Sequence, residues 1–379
     1  MRYLTQFSRF FVGILFIISG LIKLNDPIGT AIKLEEYFEV FATDFGSFFQ
    51  ILVPYSLPIA ICLVVLEVVL GFAVIIFYRM QITTWILLLL ILFFTFLTFY
   101  SAYFNKVTDC GCFGDALKLT PWTSFVKDLV LLTFIVVLFT QRKNVNTCYQ
   151  PLSANIMMCL VVFFSFYMAY FTINHLSFID FRAYKTGANI PKLMKSSAPI
   201  QYKYVVTKNN KEFEFDSYPT DTTYKYKSME VLNKHDLPKI TDYAIWNDEG
   251  DATKESLTGK RLLIFMLDAN KASEKNIEKI KTLAKDLESK GVLTWLVSGS
   301  DNNSVSTFRN NNQLALPVYF ADATVIKTII RSNPGLVLLQ DGIVRGKWHH
   351  KDTPEIEEVI SSFKEVKAAA YYQPAPPAY

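Results

Sequence analysis

Five long apolar segments in the first half of the chain constrain its fold more than any other feature. Each can cross the roughly 30 Å hydrocarbon core of a bilayer as an α-helix, because such a crossing takes about 20 residues. They are Phe7–Leu24, Ile51–Tyr78, Ile82–Tyr100, Trp122–Thr140 and Asn155–His175. After His175 the chain becomes polar, charged and rich in turn residues. This change in composition predicts a helical transmembrane bundle followed by a separate water-exposed part.

The basic residues near these segments favour a cytoplasmic N-terminus. Every arginine up to Lys143 then lies inside, although the lysines are divided between the two sides. Five crossings place the loop Asn105–Trp122 and everything after His175 outside, which predicts a bacterial inner-membrane protein with a periplasmic C-terminal domain. The charged segment Ile28–Phe45 is expected to be an amphipathic helix on the outer surface. The small net charge of +4 is scattered, which argues against nucleic-acid binding.

The loop Asn105–Trp122 places Cys110 and Cys112 one residue apart. A disulfide between them would close a three-residue ring worth about 1.6 kcal/mol of chain entropy, against roughly 3 kcal/mol for fifteen residues. The tight spacing also strains the disulfide and makes it easier to reduce. These properties favour a redox pair over a structural brace, with a minor loop clip or two free thiols as the alternative. Zinc is not expected, because two further ligands are missing nearby.

Three ionisable residues lie within the apolar segments, at Glu67, Lys127 and Asp128. Each costs about 3 kcal/mol or more near the bilayer centre, so each needs a reason to be there. Lys127 could stabilise an attacking thiolate, and Glu67 or Asp128 could carry a proton. The structural alternative is an interhelical ion pair of Glu67 with Lys127, Lys23 or Arg9.

The outer part begins with an alternating stretch, Tyr202–Phe215, which turns at Asn209-Asn210 and predicts a β-hairpin. From Ile240 onwards strands alternate with helices, and the pattern ends in a hairpin around Asp341-Gly342 and a last helix. This order predicts an α/β domain. The predicted organisation is a bundle (1–145), a fifth membrane helix (146–176), a bridge (177–239), the α/β domain (240–366) and a disordered proline-rich tail (367–379).

Two stretches of the membrane part resemble known families. The opening, RFFVGILFIISGLIKLNDPIGTAIKLEEYF, resembles the DoxX-like membrane proteins at Arg9, Gly13, Phe16, Ser19, Gly20 and Lys23. The stretch DCGCFGDALKLTPWTSFVKD is more narrowly similar to the methylamine utilisation protein MauE. This resemblance covers about residues 1–145. It implies a role in forming disulfides in an exported enzyme, together with a separate thioredoxin-like partner, MauD.

The outer domain resembles the thioredoxin fold, in particular its TlpA-like and peroxiredoxin-like branch. Pro334 stands where these proteins have a cis-proline, and Asp268–Ser273 stands where they have a redox Cys-x-x-Cys. Here that stretch is DANKAS, and no cysteine follows Cys159. The domain therefore cannot exchange thiols itself. It is expected to bind a client or partner, with a structural remnant as the alternative.

Together these features predict a membrane thiol–disulfide oxidoreductase or redox partner that acts on exported proteins through Cys110 and Cys112. By analogy, the electrons would leave through a membrane acceptor such as a quinone. The alternative is a non-catalytic, membrane-anchored assembly factor whose outer domain recognises an exported protein.

The predicted topology can be tested with a thiol reagent that does not cross membranes. In intact cells it should label reduced Cys110 or Cys112 from outside and leave Cys148 unlabelled, because Cys148 falls in an inner loop. Labelling of Cys148 alone would contradict the topology.

Overall fold

The computed structural model describes residues 2–107, 111–145, 149–209 and 211–363. The chain divides into two compact units, residues 1–181 and 182–379. The fifth apolar helix is part of the first unit. Most of the predicted bridge is part of the second unit.

The first unit is helical over its described residues. Its helices are α1 (Arg2–Asn25), α2 (Pro27–Asp44), α3 (Ser56–Ile75), α4 (Met80–Phe104), α5 (Pro121–Gln141) and α6 (Pro151–Asn174). A 3-10 segment, Ser47–Tyr55, precedes α3 and contains Pro54. An irregular first turn is expected here, because proline has no backbone N–H to donate. With this segment counted into α3, all of these helices except α2 are long and apolar enough to cross a membrane. The five predicted crossings are confirmed.

The sequence Asn25-Asp26-Pro27 explains why α1 ends and α2 begins. Asp26 caps α2 by accepting a 2.9 Å hydrogen bond from the Gly29 backbone, and Pro27 occupies the first turn, where its missing N–H costs nothing. The Asn25 side chain donates to the Ile179 carbonyl at 2.7 Å and accepts from the Ile179 N–H at 3.1 Å. The segment after α6 is thereby fixed to the end of α1.

Helix α2 does not cross the membrane but packs against the bundle through one apolar face. Its buried residues are Pro27, Ala31, Leu34, Tyr37, Phe38 and Phe41. The Tyr37 hydroxyl lies 2.9 Å from the Ser101 hydroxyl on α4. At the other end, the Asp44 carboxylate accepts hydrogen bonds from Tyr100 and, at 3.2 Å, from Lys106. A helix with one buried face is present where the amphipathic helix was predicted, and it is bonded to α4. Its location on the outer surface stays a prediction.

Glycines allow α1 and α3 to pack backbone against backbone. A Cβ atom on Gly71 would lie 2.8 Å from the Gly13 carbonyl oxygen and 3.0 Å from the Ile17 nitrogen. A Cβ atom on Gly20 would lie 2.5 Å from the Val68 side chain. Small residues at such crossings are how membrane helices gain van der Waals contact where no hydrophobic effect drives them together.

The described residues of the second unit form two sheets. The smaller has the order β2-β1-β3, from strands β1 (Tyr202–Lys208), β2 (Lys211–Phe215) and β3 (Lys225–Val231). The β1–β2 hairpin was predicted; Asn210 of its turn lies outside the described residues. Strand β3 was not predicted, because its residues are polar and almost all exposed and so lack the alternating pattern of a half-buried strand.

The larger sheet forms the core of the α/β domain, in the order β10-β9-β6-β7-β8-β4-β5. Its strands are β4 (Trp246–Asn247), β5 (Gly250–Asp251), β6 (Lys260–Met266), β7 (Leu293–Ser298), β8 (Val318–Phe320), β9 (Gly335–Gln340) and β10 (Ile343–His349). The unit's helices are α7 (Ile190–Leu193), α8 (Thr253–Ser256), α9 (Ile277–Glu288), α10 (Asn302–Asn311), α11 (Ala323–Ile329) and α12 (Ile356–Ser362). Strands β6, β7 and β8 are parallel, and β9 and β10 are antiparallel.

Two details of this domain were predicted and are confirmed. The Asn333–Pro334 peptide bond is cis, and it directly precedes β9. Strands β9 and β10 form the predicted hairpin around Asp341-Gly342, both of which have positive φ. A parallel β–α–β unit followed by an antiparallel hairpin and a last helix is a thioredoxin-like fold.

The glycine contact between α1 and α3 yields a test of packing. Gly71→Val should lower the free energy of unfolding by about 1–3 kcal/mol, because the added side chain meets backbone atoms that cannot move aside. Reversible unfolding in mixed micelles would measure the change. Cys62→Val, on the exposed face of the same helix, is the control and should change stability little. Equal effects of the two substitutions would contradict close packing at Gly71.

Candidate functional site

A cavity lies among the helices of the bundle, bounded by α1, α2, α3, α4 and α5 and by the loop that leads into α5. Its empty volume, open mouth included, is about 950 Å³. Most of its lining is apolar, from Leu15, Phe16, Leu34, Leu63, Val64, Ile91, Phe94, Leu97, Phe113 and Leu131. Cys112 also contributes to the lining. The cavity therefore has a thiol-bearing residue in its mostly apolar lining.

The loop that carries Cys112 is shaped by its glycines. Gly111 and Gly114 have φ values of +65° and +50°, in the left-handed region that favours glycine. The Gly114 N–H donates to the Gly111 carbonyl at 3.1 Å, which closes a tight turn around Cys112 and Phe113. The loop ends at Thr120, whose hydroxyl accepts from the Thr123 N–H and caps α5. Cys110 lies outside the described residues, so its pairing with Cys112 stays a prediction.

Glu67 forms an ion pair inside the bundle. Its Oε1 atom lies 2.6 Å from Nζ of Lys23, and both side chains are more than nine-tenths buried. The ion pair with Lys23 was one of three structural alternatives from the sequence. Arg9, another of them, instead donates to the carbonyl of Ile75 at the end of α3.

Ser19 connects this ion pair to the thiol loop. Its hydroxyl lies 3.1 Å from Oε2 of Glu67 and 3.0 Å from the carbonyl oxygen of Cys112. Because a hydroxyl has a single proton, Ser19 donates to one of these two acceptors at a time. Ser19 thus links the backbone of Cys112 to the side chain of Glu67.

A second ion pair lines the same cavity. Nζ of Lys127 lies 2.5 Å from Oδ1 of Asp128, which is buried, and Thr98 donates to the other oxygen of Asp128 at 3.0 Å. Nζ of Lys127 also lies 5.8 Å from the centre of the Phe113 ring, one residue beyond Cys112. The structure therefore brings Cys112, Lys127, Asp128 and Glu67 together on one cavity.

The surroundings act on the Cys112 thiol in opposite directions. Burial raises the pKa of Cys112 above its ordinary value, and the positive charges of Lys127 and Lys23 lower it again. The carboxylates of Asp128 and Glu67 add to the rise. Among the described cysteines, Cys62 and Cys159 are exposed on the outside of the bundle, and Cys112 is the one on the cavity. Burial is the largest of these effects, so the pKa of the Cys112 thiol stays above its ordinary value although both lysines oppose the rise.

Two partners of the site were not assigned a role from the sequence. Ser19 lies on the face of α1 that meets α3, and the DoxX-like pattern contained it, which was the available signal. Thr98 sits in an apolar stretch of α4 with nothing nearby in sequence to mark it. Within the described residues, no group of three or more His, Cys, Asp or Glu side chains is placed to hold a metal ion.

The turn that holds the redox cysteines in thioredoxins is present in the second unit without thiols. It follows β6 and contains a short 3-10 turn at Ala269–Lys271, capped by Asp268. The Ser273 N–H donates to the carbonyl of Asn333 at 2.9 Å, and the Asn333 side chain donates to the carbonyl of Asp268 at 2.8 Å. The turn thus lies against the cis-proline loop, as in the fold it resembles, but offers no sulfur.

Residues 1–141 match the family model described as methylamine utilisation protein MauE. Protein TlpB of Flavobacterium psychrophilum is 28% identical over 149 residues, which make up 38% of this chain and 38% of TlpB. The chain thus spans well under half the length of that relative.

Two solved structures are similar at low identity. The solution structure of a candidate thioredoxin from Neisseria meningitidis is 16% identical and covers 36% of this chain and 96% of its own, with a TM-score of 0.27. The mitochondrial 2-Cys peroxiredoxin of Plasmodium falciparum is 15% identical and covers 45% and 91%, with a TM-score of 0.22. The family match and the sheet order together describe a MauE-like membrane domain followed by a thioredoxin-like domain.

The Lys23–Glu67 ion pair can be tested by a double-mutant cycle. Lys23→Met and Glu67→Leu should each cost about 3–5 kcal/mol of unfolding free energy, because each leaves one buried charge unpaired. The double variant should recover most of that loss, since no charge is then left alone. Unfolding in mixed micelles would measure all three. Additive losses in the double variant would show that the two side chains do not act as a pair.

Proposed function

We propose that this protein is a thiol–disulfide oxidoreductase of the bacterial inner membrane that acts on exported proteins through Cys110 and Cys112. The observation that carries the proposal is the setting of Cys112. Its loop borders a cavity lined by three lysines, Lys23, Lys33 and Lys127, and by the carboxylates of Glu67 and Asp128. Four buried or half-buried charges around a thiol are expensive in a membrane, and thiol exchange gives them a use.

In the oxidising direction, a client with two reduced cysteines exchanges with the Cys110–Cys112 disulfide. One client thiolate attacks; a client–protein S–S bond forms as the Cys110–Cys112 bond breaks, and one protein thiolate leaves. The second client thiolate then attacks the mixed disulfide and releases the oxidised client. Two electrons and two protons have moved from the client to the cysteine pair.

The charged residues serve this exchange in different ways. Lys127 and Lys23 stabilise the thiolate that leaves or attacks, since opposite charge favours the ionised form. Asp128 and Glu67 can take up or return the proton that each thiol loses or gains. When no thiolate is present, the ion pairs with Lys23 and Lys127 offset the cost of burying the Glu67 and Asp128 carboxylates in the bundle.

The thioredoxin-like domain would hold the client or partner and place it within reach of the cysteine pair. Its turn at Asp268–Ser273 keeps the shape of the fold but has no cysteine. The same absence favours the second candidate function, a non-catalytic assembly factor in which the bundle is only an anchor. The two functions differ in whether the cysteine pair cycles between dithiol and disulfide.

A mixed-disulfide trap separates the two functions. With Cys110→Ala or Cys112→Ala, one of the two variants should accumulate a covalent complex with its client in cells, because the resolving thiol is missing. Mass spectrometry would identify what is captured. If neither variant traps a protein and the Cys→Ser variants of both positions support full function, the assembly factor is the better account.

The charge of Lys127 gives a further prediction. In Lys127→Met the pKa of Cys112 should rise, because a stabilising charge is lost. Each unit of rise lowers the thiolate fraction about tenfold while raising its nucleophilicity about threefold, so exchange should slow roughly three- to fourfold per unit. The pH profile of exchange with a soluble dithiol would show both effects. Lys127→Arg should restore the profile, and Lys118→Met, an exposed lysine of the same loop, should not alter it.

An unchanged profile in Lys127→Met would make Lys127 a structural partner of Asp128 and remove its role in exchange.

A further inference from the structure

We propose that the cavity beside Cys112 is the binding site of the electron acceptor, an uncharged lipophilic molecule of the quinone class. This inference rests on the proposed thiol–disulfide function and names the second partner of the same site. It requires two partners of different kinds: a protein client that reaches the cysteine pair from the water side, and a small molecule that enters the bundle.

The walls of the cavity favour a small lipophilic partner. Its lining comes from helices that cross the membrane, together with α2 and the thiol loop. Buried apolar side chains such as Phe16, Val64 and Ile91 form most of it. Because small-molecule sites are concave and mostly apolar with a few polar groups, this lining suits a small lipophilic partner.

The charges of the cavity favour an uncharged partner. Lys23 is paired with Glu67, Lys127 with Asp128, and Lys33, at the mouth, with Glu36. The pairs leave no net charge to attract an ion. A charged ligand would also have to lose its hydration in an apolar space without a compensating partner. The cavity is built to accept a neutral molecule.

The number of electrons and protons that leave the dithiol narrows the chemical class of the acceptor further. When the Cys110–Cys112 dithiol becomes a disulfide, two S–H bonds break, one S–S bond forms, and two electrons and two protons must leave. In an apolar space the acceptor has to take all four, because a charged product would be costly there. A ring with two conjugated carbonyl groups does so: both oxygens gain a hydrogen, and a neutral dihydroxy ring results.

The polar groups of the cavity match this transfer. Lys23 on α1 and Lys127 on α5 supply ammonium donors for a carbonyl oxygen that gains electron density. Glu67 and Asp128 supply two carboxylates, one for each proton that passes from a thiol to an oxygen. Ser19 lies between Glu67 and the Cys112 carbonyl and extends one of these routes to the thiol loop.

The experiment uses the full-length protein in lipid nanodiscs and a decyl-substituted benzoquinone as the probe. Equilibrium dialysis should show saturable binding to the oxidised protein. With the dithiol form under anaerobic conditions, one quinol should appear for each disulfide formed. The readouts are independent, since binding is measured without turnover.

A matched pair of variants locates the site. Leu15 lines the cavity, whereas the adjacent Ile14 on the same helix is exposed on the outside of the bundle. Leu15→Trp should weaken binding of the probe by roughly tenfold or more, because the indole occupies the space of the ring. Ile14→Trp should bind as the native protein does. If Leu15→Trp does not fold, Leu63→Phe fills the cavity from α3, with Cys62→Phe as its exposed control.

The outcomes distinguish this inference from the function on which it rests. Absence of saturable binding, with normal exchange between the cysteine pair and a soluble dithiol, overturns the acceptor site and leaves the proposed function intact. Equal binding by Leu15→Trp and Ile14→Trp places the probe among the surrounding lipids and also overturns it. The proposed function is overturned instead if Leu15→Trp weakens probe binding and Ile14→Trp does not, while the thiols of the protein fail to exchange with any dithiol.

Discussion

The ion pair between Lys23 and Glu67 is the interaction on which the membrane unit depends. Neither charge could remain in the bundle alone, because an unpaired charge in this environment costs several kcal/mol. The pair forms at 2.6 Å because α1 and α3 approach through Gly13, Gly20 and Gly71. Ser19, one turn from Lys23 on the same helix, then carries the geometry of the pair to the carbonyl of Cys112. Helix packing, the burial of the two charges and the position of the thiol therefore depend on the same set of contacts.

In the proposed function, the two units divide tasks that a single thioredoxin combines. The thioredoxin-like domain keeps the parts of its fold that shape a binding surface, including the cis-proline loop and the turn that rests on it. The sulfur chemistry in the proposed function belongs to the bundle, where lysines and carboxylates adjust a thiol. Such an arrangement lets the reacting thiols stay next to the bilayer while recognition takes place on a water-exposed surface.

The sequence predicts most elements and only part of the site. Apolar segments of membrane-spanning length and alternating strands are local patterns, so the five crossings, the sheet hairpins and Pro334 could be predicted. The partner of Glu67 could not be chosen among Lys23, Lys127 and Arg9, because helix separation is set by contacts between Gly13 and Gly71 far apart in sequence. Strand β3 was missed, since an exposed strand carries no burial pattern. The cysteine pairing itself is still a prediction.

Helix α2 is the wall of the cavity that does not cross the membrane, and its attachment has a consequence for access. It is bonded to α4 through Tyr37 and Asp44, so this wall is joined to a membrane-spanning helix at two points. The C-terminal end of α2 is bonded to α4 through Asp44. The hydrogen bond from Tyr100 and the contact with Lys106 keep the pKa of the Asp44 carboxyl below its usual range. A carboxylate with a lowered pKa keeps its contacts at neutral pH and loses them only as the pH falls through that lowered value. The contact of Asp44 with Tyr100 and Lys106 therefore persists under mild acidity, and α2 stays joined to α4 over that pH range.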